Sequence, residues 1–446
     1  MNITVVLEIL VVVGAIIMGV RMGGMGLGLW GVAGVGILVF VFGMPPGTPP
    51  GSAMLIIIAV ITAAGAMQAA GGIDFLVQVA TKIIQRNPKQ LNYIAPLVSF
   101  VFTVAAGTSN IFYPLLPVIY QTAYDNNIRP ERPLATATVA NVYGITCSPV
   151  SAAMAALIGL IAVEPYNFSL GKVLMITVPS ALAAIIVMAF VQNHIGKELA
   201  DDPAYQEKLK AGLIAPPKSE SKSGEPLPEL PKGAALSAYL FLAGVVLVVL
   251  TAFPAFQQMV PDGEGGTVAV SATTIIQIIM FVVALLIVIF TKIEPGSIPK
   301  QSVFGSGIIA VLALFGVAWL ADTFVAFYND QIVAMLSDVA TAAPLMFAVA
   351  IFILAALTTS QSATTRTLIP IGLSIFPAVG PIVAMWQALS GVLFLPANGT
   401  QLAAVAVDET GTTKIGKAVV NHSFMIPLLI STLVAVGVGL VISQFV

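Results

Sequence analysis

The sequence predicts an all-α polytopic membrane protein, built as an inverted repeat of five transmembrane helices plus one re-entrant hairpin per half, with discontinuous helices at the centre. Three observations carry this expectation. Of 446 residues, 58% are hydrophobic and only 9% charged, against roughly 25% charged residues in soluble domains, and mean hydropathy is +1.01. Polar interruptions of apolar stretches recur in the same order about 250 residues apart, as a duplication would leave them. Lys and Arg, finally, fall almost entirely on one side of the implied membrane.

Apolar runs long enough to span a bilayer lie near 3–20, 25–43, 52–72, 133–160 and 170–193, then near 236–254, 271–291, 302–321, 381–407 and 419–444. The N-terminus carries Glu8 and no basic stretch, so its first run reads as a retained span. The runs 92–105, 111–124, 343–357 and 363–376 are shorter. Each would rise roughly 21 to 23 Å as helix against a hydrocarbon core of about 30 Å. They pair as two re-entrant hairpins, about 92–124 and 343–376, each turning at a Thr-Ser motif. Irregular backbone at such depth needs protein or a water-filled cavity around it.

A periplasmic N-terminus places all but Lys172 and Arg366 of the 18 Lys and Arg on the cytoplasmic side. Ten crossings then return the C-terminus to the periplasm. The first hairpin enters from the cytoplasm and the second from outside, so the repeats, 1–193 and 236–446, are inverted. Residues 194–235, with Asp201-Asp202-Pro203 and the run from Pro216 to Gly224, read as a partly flexible cytoplasmic linker, a plain connector. Gly23, Gly24, Gly26, Gly28, Gly31, Gly34 and Gly36 give the second helix a small-residue face for internal or subunit packing.

In the first half, Gly107-Thr108-Ser109-Asn110 precedes Pro117 and then Ser148-Pro149-Val150-Ser151; in the second, Thr359-Ser360-Gln361-Ser362 precedes Pro370 and then Pro396-Ala397-Asn398-Gly399-Thr400. Thr108 aligns with Thr359, Pro149 with Pro396 and Asp74 with Asp322. Matched broken segments are the sequence mark of a transporter's binding site. A helix stopping in mid-membrane presents unpartnered N–H groups and about half a positive charge, which suits an anion. Thr108, Ser109, Asn110, Ser148, Ser151, Thr359, Ser360, Gln361, Asn398 and Thr400 are the candidate ligands. Arg366, inside the second hairpin, either holds a carboxylate or snorkels to the interface or pairs with an acid such as Asp322. Asp74 and Asp322 read as helix-end caps facing solvent. His422, early in the last helix, is a group that titrates near neutrality or hydrogen-bonds a neighbour.

Net charge of −2 gives nucleic acid no purchase, and two His and one Cys exclude internal disulfides and Cys/His metal cages. With no P-loop and no His-Glu-x-x-His, neither catalytic residues, a metal nor a cofactor is expected.

Arg21-Met22-Gly23-Gly24, Met67-Gln68-Ala69-Ala70-Gly71-Gly72-Ile73-Asp74, Asn127-Ile128-Arg129-Pro130-Glu131-Arg132-Pro133, Ser148-Pro149-Val150-Ser151, Gly316-Val317-Ala318-Trp319-Leu320, Asp408-Glu409-Thr410-Gly411-Thr412-Thr413-Lys414 and Asn421-His422-Ser423-Phe424 are specific. Through them the whole chain resembles the Dcu family of anaerobic bacterial C4-dicarboxylate transporters. The resemblance implies import of fumarate, malate or aspartate in exchange for succinate, or with protons, at the inner membrane. It also implies an ion-transporter-superfamily fold of the elevator type, and a homodimer. Family members commonly read Gly-Thr-Gly at the first tip and Leu-Pro-Thr-Tyr-Pro at the second break. Here Gly107-Thr108-Ser109 and Leu395-Pro396-Ala397-Asn398-Gly399-Thr400 stand instead. The latter is similar to the Ser-Asn-Thr signature of sodium-coupled dicarboxylate and citrate carriers, which keeps sodium coupling open.

Overall fold

Glycine, proline and short polar residues set where the helices of this chain begin and stop. The structure, a computed structural model, describes residues 3–22, 25–49, 51–86, 88–214, 216–217, 229–251, 254–256, 258–261, 266–342, 344–395, 398–415 and 421–446. Gly23, Gly24, the linker stretch 218–228, Pro396, Ala397 and Lys417 lie outside the described residues.

Helices α1 (Ile3–Met22), α2 (Gly26–Phe40) and α3 (Gly51–Ala69) follow the first three apolar runs. Gly71, at φ +82°, ends α3 in the left-handed conformation that favours glycine. The chain then bends by 73° into α4 (Gly72–Arg86). Ile73, Leu76, Ala80 and Ile84 recur at helical spacing on the buried face of α4, between the apolar runs 52–72 and 92–105. Asp74 sits exposed in its first turn, as expected of a helix-end acid.

The first helical hairpin is α5 (Leu91–Ala106) and α6 (Leu115–Asp125). Next come α7 (Glu131–Cys147) and α8 (Ala152–Ile161), broken at Ser148 as expected, then α9 (Leu170–Asn193) and the short α10 (Pro203–Lys210). The second half runs α11 (Ala234–Thr251), α12 (Ala272–Thr291), α13 (Ser302–Ala342), the hairpin α14 (Leu345–Thr358) and α15 (Gln361–Ile375), α16 (Val379–Trp386) continuing as a 3-10 segment to Leu393, α17 (Gly399–Val407) and α18 (Met425–Ile442). Two three-residue strands, β1 (Met259–Pro261) and β2 (Thr267–Ala269), pair antiparallel between α11 and α12, so the fold is mostly rather than wholly helical. Among the described residues six helices are long and apolar enough to cross a membrane, or seven with the bent α3–α4 pair; Ile3–Gly19, Gly28–Phe40, Leu345–Thr358 and Val379–Leu393 are shorter apolar helices.

Asp322 is not at a helix end. It lies inside α13, because no Gly or Pro follows it until Pro344, whereas Gly71-Gly72 interrupts the corresponding stretch before Asp74. Its Oδ2 accepts the Thr48 N–H at 2.6 Å, and Trp319 Nε1 donates to the Gly47 carbonyl at 2.7 Å. Asp322, half-buried, therefore holds the α2–α3 connection.

Packing is interlaced: α2 lies on α13, α12 on α3, α9 on α18 and α5 on α7. At the α2–α13 crossing a Cβ on Gly316 would overlap the carbonyl of Gly28, and one on Gly31 would overlap Gly316. The glycine face of α2 is thus an internal packing face. The first part of the linker packs against the start of α7. Arg129 bridges Glu131 Oε2 at 2.7 Å and Asp202 Oδ2 at 2.6 Å, and Arg132 reaches Glu198 at 3.0 Å. Burial works against the charge of Arg129, but its two carboxylate partners raise its pKa above the ordinary arginine value. Asp408 accepts from the N–H groups of Thr410 and Thr413 and from the Thr410 and Thr412 hydroxyls, while Ser423 donates to Glu131 at 2.6 Å. The Glu131 N–H donates to Thr412 Oγ1 at 3.2 Å and the Lys414 N–H to Ser423 Oγ at 2.9 Å, so the stretch from Asp408 to Ser423 closes onto the Arg129 motif far earlier in the chain.

Candidate functional site

Both hairpins turn through the same pair of conformations. Gly107, at φ +68°, closes α5, and Thr108 is extended, its hydroxyl accepting the Asn110 N–H at 3.2 Å. Thr359, at φ +50°, closes α14, and Ser360 is extended, its hydroxyl accepting the Ala363 N–H at 3.3 Å. Gly107 thus corresponds to Thr359 and Thr108 to Ser360, one residue away from the sequence alignment of Thr108 with Thr359. The turn demands a left-handed residue and then an extended cap, and a threonine in the left-handed position hid the match. A β-branched residue at positive φ is strained, a feature that clusters at functional sites.

At the first break Ser148 Oγ donates to the Val104 carbonyl at 2.7 Å, and Ser151 Oγ donates to the Ile145 carbonyl at 2.7 Å while accepting the Met154 N–H at 3.0 Å. At the second, Asn398 Oδ1 accepts the Thr400 N–H at 3.0 Å and its hydroxyl at 2.8 Å. Gln401 Nε2 donates to the Leu393 carbonyl at 2.7 Å, and His422 Nε2 to that of Phe394 at 2.9 Å. His422 precedes α18 rather than opening it, and it satisfies a carbonyl at the end of the 3-10 segment.

A cavity of about 220 Å³ brings the first tip, the first break and the first turn of α15 together. One wall is apolar, from Ile57, Val60, Ile61 and Ala64 of α3 with Val303 and Gly307 of α13; the other holds Gly107 and Thr108 of the first tip, Val150, Ser151 and Ala152 of the first break, and Ser362 in the first turn of α15. The N-termini of α8 and α15 both reach this space. No ionisable side chain is among the lining residues.

Of the expected ligands, Thr108 and Ser151 line the cavity. Ser109, Asn110, Thr359, Ser360 and Gln361 stand in the tips outside its lining, and Ser148 binds backbone. Arg366 is 1% exposed within α15 and also outside the lining, so it does not snorkel. Asn398 caps α17 and Thr400 lies in its first turn, both outside this lining. Tyr113, however, reaches the second break, where a Cβ on Gly399 would lie 2.7 Å from its hydroxyl.

Two fully buried amides absent from the expected ligands link the helices around the site. Asn141 of α7 joins Thr103 to Ser109, and Gln387 accepts from Thr146 at 2.8 Å and donates to the Thr177 carbonyl at 2.9 Å. Each is an amide in the middle of an apolar run, and that was the available signal.

A family model described as anaerobic C4-dicarboxylate membrane transporter matches residues 4–446. The chain belongs to this DcuA/DcuB family. It is 38% identical over 449 residues to the C4-dicarboxylate transporter DcuA of Helicobacter pylori J99, covering 98% of each chain. It is 39% identical to DcuA of Escherichia coli K12 over 99% of each, and 35% identical to the anaerobic C4-dicarboxylate transporter DcuB of Escherichia coli O6:H1 over 97% of each. In fold it is similar to the crystal structure of the YdaH transporter of Alcanivorax borkumensis, with TM-score 0.58 at 15% identity over 89% of this chain and 85% of that one. The DcuA/DcuB family is one of membrane transporters, so this chain is a multi-pass membrane transporter and not an enzyme.

Proposed function

We propose that the chain is a secondary active carrier that binds a C4-dicarboxylate in the tip cavity and moves it across the bacterial inner membrane, importing fumarate, malate or aspartate in exchange for succinate. The observation that carries this reading is the meeting of the α8 and α15 N-termini with Thr108, Ser151 and Ser362 around a cavity lined by no ionisable side chain. Helix N-termini favour anions through free N–H groups and the helix dipole. Two of them suit a molecule with a carboxylate at each end. At about 220 Å³ the space is smaller than the roughly 300–1,000 Å³ of drug-sized pockets, as a small substrate requires.

The matching tips and the recurring order of helices support an inverted repeat, 1–193 and 236–446, with ten crossings, re-entrant hairpins and periplasmic termini. The cavity lies between α3 and α13 on one side and the hairpin tips and the α7–α8 break on the other. That division suits an elevator in which the second body slides along the first within a homodimer.

Thr108→Val and Ser362→Ala should each weaken succinate binding to purified protein about tenfold, since a hydrogen bond to a charged group contributes ~1.5–3 kcal/mol. Isothermal titration measures this. Wild-type affinity in both variants would remove the cavity as the site.

A further inference from the structure

Both hairpin tips are tied to one turn of α7. Asn141, which is 0% exposed, accepts the Thr103 hydroxyl of α5 on Oδ1 at 2.9 Å and donates from Nδ2 to Ser109 Oγ of the first tip at 3.0 Å. One residue on, the Val142 carbonyl accepts from Gln361 Nε2 of the second tip at 3.0 Å. Gly144 lets the helices approach closely enough for these bonds, because a Cβ there would lie 2.6 Å from Thr103 Cβ.

We infer that Asn141 is a positioning residue for substrate, holding the first tip in register with the second so that both present their polar groups to the cavity together. The inference rests on the reading of that cavity as the dicarboxylate site. Asn141 does not line the cavity and acts through Ser109. The Thr103 hydroxyl orients the amide, with its oxygen toward α5 and its nitrogen toward the tip. The left-handed closure at Gly107 makes the turn itself and does not need Asn141. Loss of the amide therefore leaves the hairpin folded but its tip unfixed. Gln361 ties the second tip to the same turn, so the two tips move with α7 as one body.

The test is succinate exchange kinetics in proteoliposomes for Asn141→Leu, Ser109→Ala and the double variant. Each single variant should raise the apparent KM about tenfold, with maximal rate per folded protein within about twofold of wild type. The double variant should match the singles, because both remove one connection. Ser109→Ala carries the test by itself if Asn141→Leu does not fold. An unchanged KM, a loss confined to maximal rate, or additive effects in the double variant would overturn the inference. Ser362→Phe, which fills the cavity, separates the two readings. If it leaves exchange intact, the site reading fails; if it stops exchange while Asn141→Leu and Ser109→Ala keep the wild-type KM, only the role of Asn141 fails.

Discussion

Gly316→Val should yield no folded transporter. At this position α2 and α13 meet backbone to backbone, and the first side-chain carbon would overlap the Gly28 carbonyl, carbonyl carbon and Cα. A flexible side chain can rotate away from an intruding methyl, but a helix backbone cannot. The two helices must separate along the crossing, which breaks contacts on both and costs more than the ~1–3 kcal/mol of ordinary overpacking. Gly36→Ala on α2 is the control: a Cβ there meets nothing within 4 Å. Size-exclusion profiles of detergent-solubilised protein should show a monodisperse peak for Gly36→Ala and aggregate or no protein for Gly316→Val. A normal peak for Gly316→Val would mean that α2 and α13 do not meet backbone to backbone at this crossing.

Gly107→Val should fold poorly at the first tip and lose succinate exchange by more than about tenfold. Its φ of +68° costs a β-branched residue ~1–2 kcal/mol, and its Cβ would lie 2.8 Å from the Val150 carbonyl oxygen. That carbonyl belongs to the first break, so the clash pushes apart two polar elements of the cavity. The second tip offers the converse change. Thr359→Gly removes a strained φ of +50°, and the relief of ~1–2 kcal/mol exceeds the ~0.5–1 kcal/mol of glycine's extra unfolded-chain entropy. It should keep exchange and raise, or leave unchanged, the thermal midpoint. A loss of exchange in Thr359→Gly with folding intact would show that the threonine side chain itself serves the substrate.

Much of this architecture was legible in the sequence, because helix length and chain-breaking residues report directly on it. The apolar runs at 92–124 and 343–376 became the hairpins Leu91–Asp125 and Leu345–Ile375, and the breaks fall at Ser148 and before Asn398. What stayed hidden depended on partners far along the chain. The amphipathic α4 is too polar for a span and becomes a helix only by laying Ile73, Leu76 and Ile84 on neighbours. The extension of α13 past Asp322 depends on the absence of a breaker, a weaker signal than the presence of one. Of the candidate site, the expected tip region coincides with the cavity, while only Thr108 and Ser151 of the expected residues line it. Hydroxyls and amides at the tips and breaks are expected to face substrate, yet the Ser148 hydroxyl turns to the Val104 carbonyl and the Asn398 amide oxygen to the Thr400 N–H. A short polar side chain beside a helix end caps backbone whenever it can, and only coordinates reveal which do. Ser362 and Asn141 illustrate the reverse, since one lines the cavity and the other braces its wall without belonging to the candidate set.

The most direct test of the central claim, that the tip cavity carries a C4-dicarboxylate, is uptake of radiolabelled succinate into proteoliposomes preloaded with fumarate, succinate or buffer alone, with and without a sodium gradient, for wild type and Ser362→Phe. The expected result is uptake by wild type that internal C4-dicarboxylate stimulates without sodium and that Ser362→Phe abolishes. Uptake that ignores the internal diacid and needs sodium would contradict the exchange mechanism, and equal uptake by Ser362→Phe would contradict the cavity itself.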